Sequence, residues 1–165
     1  MKAPFALAIL LVSTAAEAHP RRLLDSLASI DVIPTKEQLV IAGGSEDLLA
    51  AIAIDPSLHG YVRMRAAAML GLFATPDSLR LSSRLAEDTA LDREVRIQAA
   101  VALNFVARAL RSQPGILLVA RLAADDPDPV VRRALAHVLP QASPVRRRLS
   151  DRSIGNLAVE GTSKR

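Results

Sequence analysis

Asp92-Arg93-Glu94-Val95-Arg96-Ile97-Gln98-Ala99-Ala100-Val101-Ala102-Leu103 is the stretch that decides the fold. Counted from Val95, the residues Ala99, Ala102, Leu103 and Val106 stand four, seven, eight and eleven positions on. That spacing marks one buried face of a helix turning every 3.6 residues or about that. The alanines on it let neighbouring helices approach closely. The pattern stands twice more, as Val62-Arg63-Met64-Arg65-Ala66-Ala67-Ala68-Met69-Leu70 and as Val131-Arg132-Arg133-Ala134-Leu135-Ala136-His137-Val138-Leu139. The Val-Arg pairs lie 33 and 36 residues apart. Three copies at such a period signal a helical array.

Each copy has a second helix ahead of it. Ser45 can cap one, with Glu46 and Asp47 in its first turn and Leu48, Leu49 and Ile52 on one face. Thr75-Pro76 opens another carrying Leu79, Leu81 and Leu85, and Pro114 opens a third carrying Ile116, Leu117, Val119 and Leu122. A capping residue followed by proline suits a helix start, because proline's missing N–H would be unpaired there anyway. The pair recurs at Asp128-Pro129 and Ser143-Pro144. The unit is therefore helix, turn, helix, and the fold class is all-α, an α-solenoid of antiparallel helix pairs.

The Arg after each Val sits at a helix start, where the dipole does not favour a cation. It should answer a specific acid or carbonyl. Asp92 and Asp128, three residues before their valines, are suitable as caps and as partners. The expected ladder, within and between repeats, pairs Asp92 with Arg96 and Asp128 with Arg132, with Arg63 at a weaker end where His59 replaces the Asp.

The run Asp-x-x-Val-Arg-x-x-Ala-Ala-x-Ala-Leu, complete from Asp92 to Leu103 and partial in the flanking copies, resembles the HEAT-like repeat also seen in phycobilisome lyases. The resemblance covers roughly residues 45 to 142. It implies a curved helical stack that binds partners on its inner surface. It also implies a second reading: an enzyme-assisting protein of the cytoplasm, acting in tetrapyrrole attachment or DNA handling.

Composition fits helix-on-helix packing. Half of the 165 residues are hydrophobic, but only 2% are aromatic, and there is no Trp. A core of Ala and Leu suits helices better than strands. With no cysteine, disulfides, thiolate nucleophiles and Cys-ligated zinc are excluded.

The chain divides into four parts. Residues 1–18 read as a signal peptide: Lys2, an apolar run from Ala3 to Val12, and small residues at Ala16 and Ala18. The competing reading, a buried helix or an anchor, meets an apolar stretch short of the roughly 20 residues that span a bilayer. Cleavage after Ala18 would export the protein to the periplasm or beyond. Residues 19–44 form an N-terminal helical cap, with apolar clusters at Leu23, Leu24, Leu27 and Ile30 and at Leu39, Val40 and Ile41. Thr35 to Gln38 matches a capping box. Residues 45–142 are the repeats. Residues 143–165 begin like another first helix and then dissolve into Ser, Gly, Asn and charge, a basic and mostly disordered tail.

The formal charge of +4 belongs to that tail. Residues 19–142 carry 14 Lys and Arg against 14 Asp and Glu, whereas 143–165 carry six against two. The balanced body lacks the basic stripe that nucleic acid requires, so no specific nucleic-acid binding is expected. The tail allows weak contact with an anionic surface through Arg146, Arg147 and Arg148. A solubilising end is the plainer reading.

Catalysis has no motif to rest on. His19, His59 and His137 lack second ligands at metal spacing, and Asp125-Asp126-Pro127-Asp128 lacks the Gly and closing Glu of a calcium loop. It reads as a capped turn. No enzyme activity, cofactor or metal is expected. The expected partner-binding face comprises Arg65, Gln98, Asn104, Arg108, Arg133 and His137, on the side of the second helices away from the apolar stripe. The sequence thus reads as an exported, non-catalytic scaffold for a protein partner. The array also allows self-association through its last repeat.

Overall fold

The computed structural model describes residues 19–139, and these contain eight α-helices. They are α1 (Arg21–Ala28), α2 (Lys36–Ile41), α3 (Glu46–Ile54), α4 (Gly60–Met69), α5 (Pro76–Glu87), α6 (Arg93–Ala109), α7 (Gln113–Asp125) and α8 (Pro129–Val138). A 3-10 turn, Leu70–Leu72, continues α4. The proposed leader and the basic tail lie outside the described residues.

Helices α3/α4, α5/α6 and α7/α8 are the three antiparallel pairs. First helices stack on first helices, α3 on α5 and α5 on α7; second helices stack likewise, α4 on α6 and α6 on α8. The result is a two-layered helical solenoid. Its starts are chemically explicit. Ser45, Thr75 and Ser112 accept the amides of Leu48, Ser78 and Gly115, while Pro76, Pro114 and Pro129 occupy first-turn positions. The third first helix thus begins at Gln113, one residue before its proline, with Ser112 as the cap.

The expected stripe of α6 is the core. Val95, Ala99, Ala102, Leu103 and Val106 are all buried, as are Ala66, Ala67 and Leu70 in α4 and Val131 and Leu135 in α8. In the first helices Leu49, Ile52, Leu81, Leu85, Val119 and Leu122 are buried, but Leu117 points to solvent. The N-terminal helices cover the front of the stack: α1 packs on α4 and buries Leu23 and Leu27, and Thr35 and Gln38 form the capping box of α2. Of the second apolar cluster only Leu39 is buried; Val40 and Ile41 are exposed.

Two tight links show how close the layers come. After α6, Ser112 N donates to Ala107 O at 2.7 Å and Arg111 N to Arg108 O at 3.1 Å, a Schellman end. Arg111 is thereby held at φ +54°, a left-handed position where glycine is normal. Ser112 at once caps α7, whose Gly115 lies so near α6 that a Cβ there would come 2.8 Å from Ala107 Cβ. Both consequences are measurable by urea unfolding. Arg111→Gly should stabilise the protein by about 1 kcal/mol, and Gly115→Ala should destabilise it by about 1–3 kcal/mol through overpacking.

Candidate partner-binding face and the arginine ladder behind it

The Val-Arg pairs of the first two repeats build a ladder that runs between repeats. Arg63 donates through Nε to Ala53 O at 3.2 Å, in the last turn of its own first helix, and through Nη1 to Asp92 Oδ2 at 2.6 Å in the next repeat. Arg96 does the same, from Nε to Ala86 O at 3.4 Å and from Nη2 to Asp126 Oδ2. Each guanidinium therefore joins the negative end of one helix to a carboxylate of the following unit.

The expected partners are thus corrected. Asp92 serves Arg63 rather than Arg96, and Asp128 caps α8 through Val130 N at 2.7 Å while Arg132 donates to the carbonyls of Asp126 and Pro127. An Asp four residues before an Arg looks like a local pair in sequence. Here the long guanidinium instead spans the gap between layers. His59 is the cap of α4, its Nδ1 accepting Tyr61 N at 3.2 Å.

An Asp also recurs at the end of each first helix. Asp55, Asp88 and Asp126 end α3, α5 and α7, and each Oδ1 accepts the amide two residues on, from Ser57, Ala90 and Asp128 at 2.9, 3.0 and 2.9 Å. These turns start seven, seven and five residues before the repeat valines, and that slip hides them from alignment on Val-Arg. The Ser57 hydroxyl, then its amide, and to a smaller extent His19 hold the Asp55 carboxyl below its ordinary pKa. At the front of the stack His19 Nε2 meets Asp55 Oδ2 at 3.1 Å, where a preceding repeat would place its arginine.

The expected face needs correction too. Arg65 and Asn104 are buried. The guanidinium of Arg65 is held by the carbonyls of Ser29 and Val32 and by the Tyr61 hydroxyl, so it clamps the segment after α1 across α4. Asn104 Oδ1 accepts from Arg108 Nε at 3.0 Å. Gln98 is half-buried, while Arg108, Arg133 and His137 are exposed.

What faces outward between them is apolar. Positions two, six and ten after each repeat valine form one stripe at helical spacing. They hold Met64, Ala68 and Leu72 along α4 and its 3-10 turn, then Ile97, Val101 and Phe105 along α6. All are partly or fully exposed, Phe105 to 62%. On α8 the first two positions become Arg133 and His137. The Arg65 clamp brings exposed Ile30 and Val32 to the α4 side of this surface. The stripe lies off the buried arc of Val95, Ala99, Ala102, Leu103 and Val106.

A family model described as HEAT repeats matches residues 46–140, more than half of the chain. The chain belongs to the HEAT-repeat family. No curated protein and no solved structure matches it significantly. HEAT repeats commonly carry protein-protein interaction, and the stack here presents the extended surface such binding uses. Among the described residues no helix is long and apolar enough to cross a membrane, and no group of three or more His, Asp or Glu is placed to hold a metal ion.

The rungs should differ in weight. Arg96 and Asp126 have side chains 4% and 0% exposed, so Asp126→Ala strands a buried cation and should cost about 3–5 kcal/mol. Asp92 is 57% exposed, and Asp92→Ala should cost no more than about 1 kcal/mol in the same denaturation assay. Asp55 adds a pH signature. Its lowered pKa stabilises the fold above the unfolded carboxylate value of about 3.9. That contribution is lost as pH falls through the folded value, so the stability gap between wild type and Asp55→Asn should close on acidification.

Proposed function

We propose that this HEAT-repeat protein is an exported, non-catalytic scaffold that docks a protein partner on the outward face of α4, α6 and α8. Phe105 carries the reading. A phenylalanine 62% exposed in the C-terminal half of the middle second helix, one turn after Val101, is costly to leave in water and is the kind of aromatic anchor that dominates interfaces. The same second helices carry the exposed cations Arg108 and Arg133, with His137 and Glu94 also exposed. Such a surface fits an amphipathic segment with an apolar ridge and acidic flanks. The leader supports export: Lys2, the run from Ala3 to Val12, and Ala16-Glu17-Ala18 form the charge, apolar and small-residue order that signal peptidase reads.

Two measurements test the parts separately. Mass spectrometry of fractionated cells should find a mature start at His19 outside the cytoplasm; an intact Met1 in the cytoplasm would defeat export and favour the enzyme-assisting alternative. Partner capture by affinity pull-down should fall at least tenfold for Phe105→Asp, about 1.4 kcal/mol of binding, with the melting temperature unchanged. Equal capture by both proteins would remove this face from the function.

A further inference from the structure

The docking face changes character from one repeat to the next. Two residues after the repeat valine stand Met64 on α4, Ile97 on α6 and Arg133 on α8; six residues after it stand Ala68, Val101 and His137. Each row therefore crosses the stack from two apolar side chains to a guanidinium or an imidazole, and all six residues are partly or fully exposed. Beyond α4 the Arg65 clamp continues the apolar ground with Ile30 and Val32, 80% and 54% exposed, and holds the exposed Asp31 between them. Arg65 itself is buried and spends its donors on the Ser29 and Val32 carbonyls and the Tyr61 hydroxyl. In the first turn of α6, Glu94 meets Arg93 Nε at 3.6 Å. The surface thus has an acid at its front, an apolar floor across a loop and two helices, and cationic chemistry at α8.

We infer that the occupant of this face, on the docking reading given under the proposed function, is an extended polyproline II segment lying across α4, α6 and α8. It places one side chain on each helix: apolar residues over α4 and α6 and, three residues further on, an acid against Arg133 and His137. The crosswise course follows from the floor, which an occupant lying along α6 alone would only partly cover. The period follows from helix spacing. Packed helices stand about 8–10 Å apart, and Gly71, where a Cβ would come 3.4 Å from Ala102 Cα, keeps α4 and α6 close. A polyproline II chain returns to the same side every third residue, about 9 Å on. A β-strand does so every second residue, about 7 Å on, and falls out of step. A strand's free amides also need a sheet edge, and the described residues contain helices only, whereas the polyproline II backbone stays solvated without a ladder. Charge sets the direction. An acid at the α4 end would face Asp31, and at the α8 end it meets a guanidinium. The recognised pattern is apolar-x-x-apolar-x-x-acid from α4 to α8, whichever way the segment's chain runs.

Selection of a random dodecapeptide phage library on the immobilised full chain tests this, with Phe105→Asp as the counter-target. Peptides held by the wild type and lost on Phe105→Asp should carry the pattern. A synthetic peptide of the enriched sequence should bind Arg133→Glu about tenfold or more weakly than the wild type, and replacing its acid by lysine should restore the affinity. Because Arg133 is exposed, the melting temperature of the variant should match that of the wild type. Phe105-dependent peptides with their anchors two, four or seven residues apart, or with equal affinity for Arg133→Glu, would overturn the crosswise segment and leave the docking face standing. Recovery of no Phe105-dependent peptide would remove the face, and the segment with it.

Discussion

A buried guanidinium bridging successive repeats is the interaction on which the stack depends. Arg96 is nearly sealed from water and has its acceptors on two elements that no local rule connects, Ala86 O at the end of α5 and Asp126 at the end of α7. Removing an ion of that size from water costs several kcal/mol, and the pair repays this only where geometry and hydrogen bonds are both good. A slip of one repeat against the next would leave the charge in place and take its acceptors away. The alanine-rich interface could tolerate several sliding arrangements; the arginine tolerates one. Packing holds the layers together, and the ladder sets their register.

The alphabet of the interior follows from the same closeness. Gly71 lies where a Cβ would stand 3.4 Å from Ala102 Cα, and Gly115 lies closer still to Ala107. Helices this near leave no room for aromatics between them, which accounts for a protein with three Phe and no Trp. Phe73 packs at the edge of the core beneath Lys36, whose Nζ is 5.3 Å from the ring centroid. Phe105 stands on the open side.

The architecture was legible because helix periodicity and capping are local. Val95 to Val106 declared their buried arc, Thr35 and Gln38 their box, and Asp125 to Asp128 a capped turn in which Asp126 ends α7 and Asp128 starts α8. The ladder and the face were not legible because both depend on what lies beside a helix rather than along it. An Asp at i and an Arg at i+4 satisfy a helical rule that the fold declines to use. Arg65 occupies the same register as Gln98 and Ala134, and nothing in α4 itself says that the carbonyls of Ser29 and Val32 descend on it. Asp55, Asp88 and Asp126 were visible as letters, but their alignment needs the ends of the first helices, not the starts of the second.

A one-dimensional array meets its hardest chemical demand at its ends, since each repeat is written for two neighbours and a terminal repeat has one. At the front the protein replaces the missing arginine with the imidazole of His19, a shorter donor that reaches Asp55 because the segment leading into α1 lies against that corner of the stack. The carboxylate there is already satisfied by the Ser57 hydroxyl and amide, so it needs less from its partner than Asp126 needs from Arg96. A neutral or charged imidazole can therefore serve where a buried carboxylate would require a permanent cation. Among the described residues the far end shows the opposite case, with Arg132 meeting the carbonyl oxygens of Asp126 and Pro127.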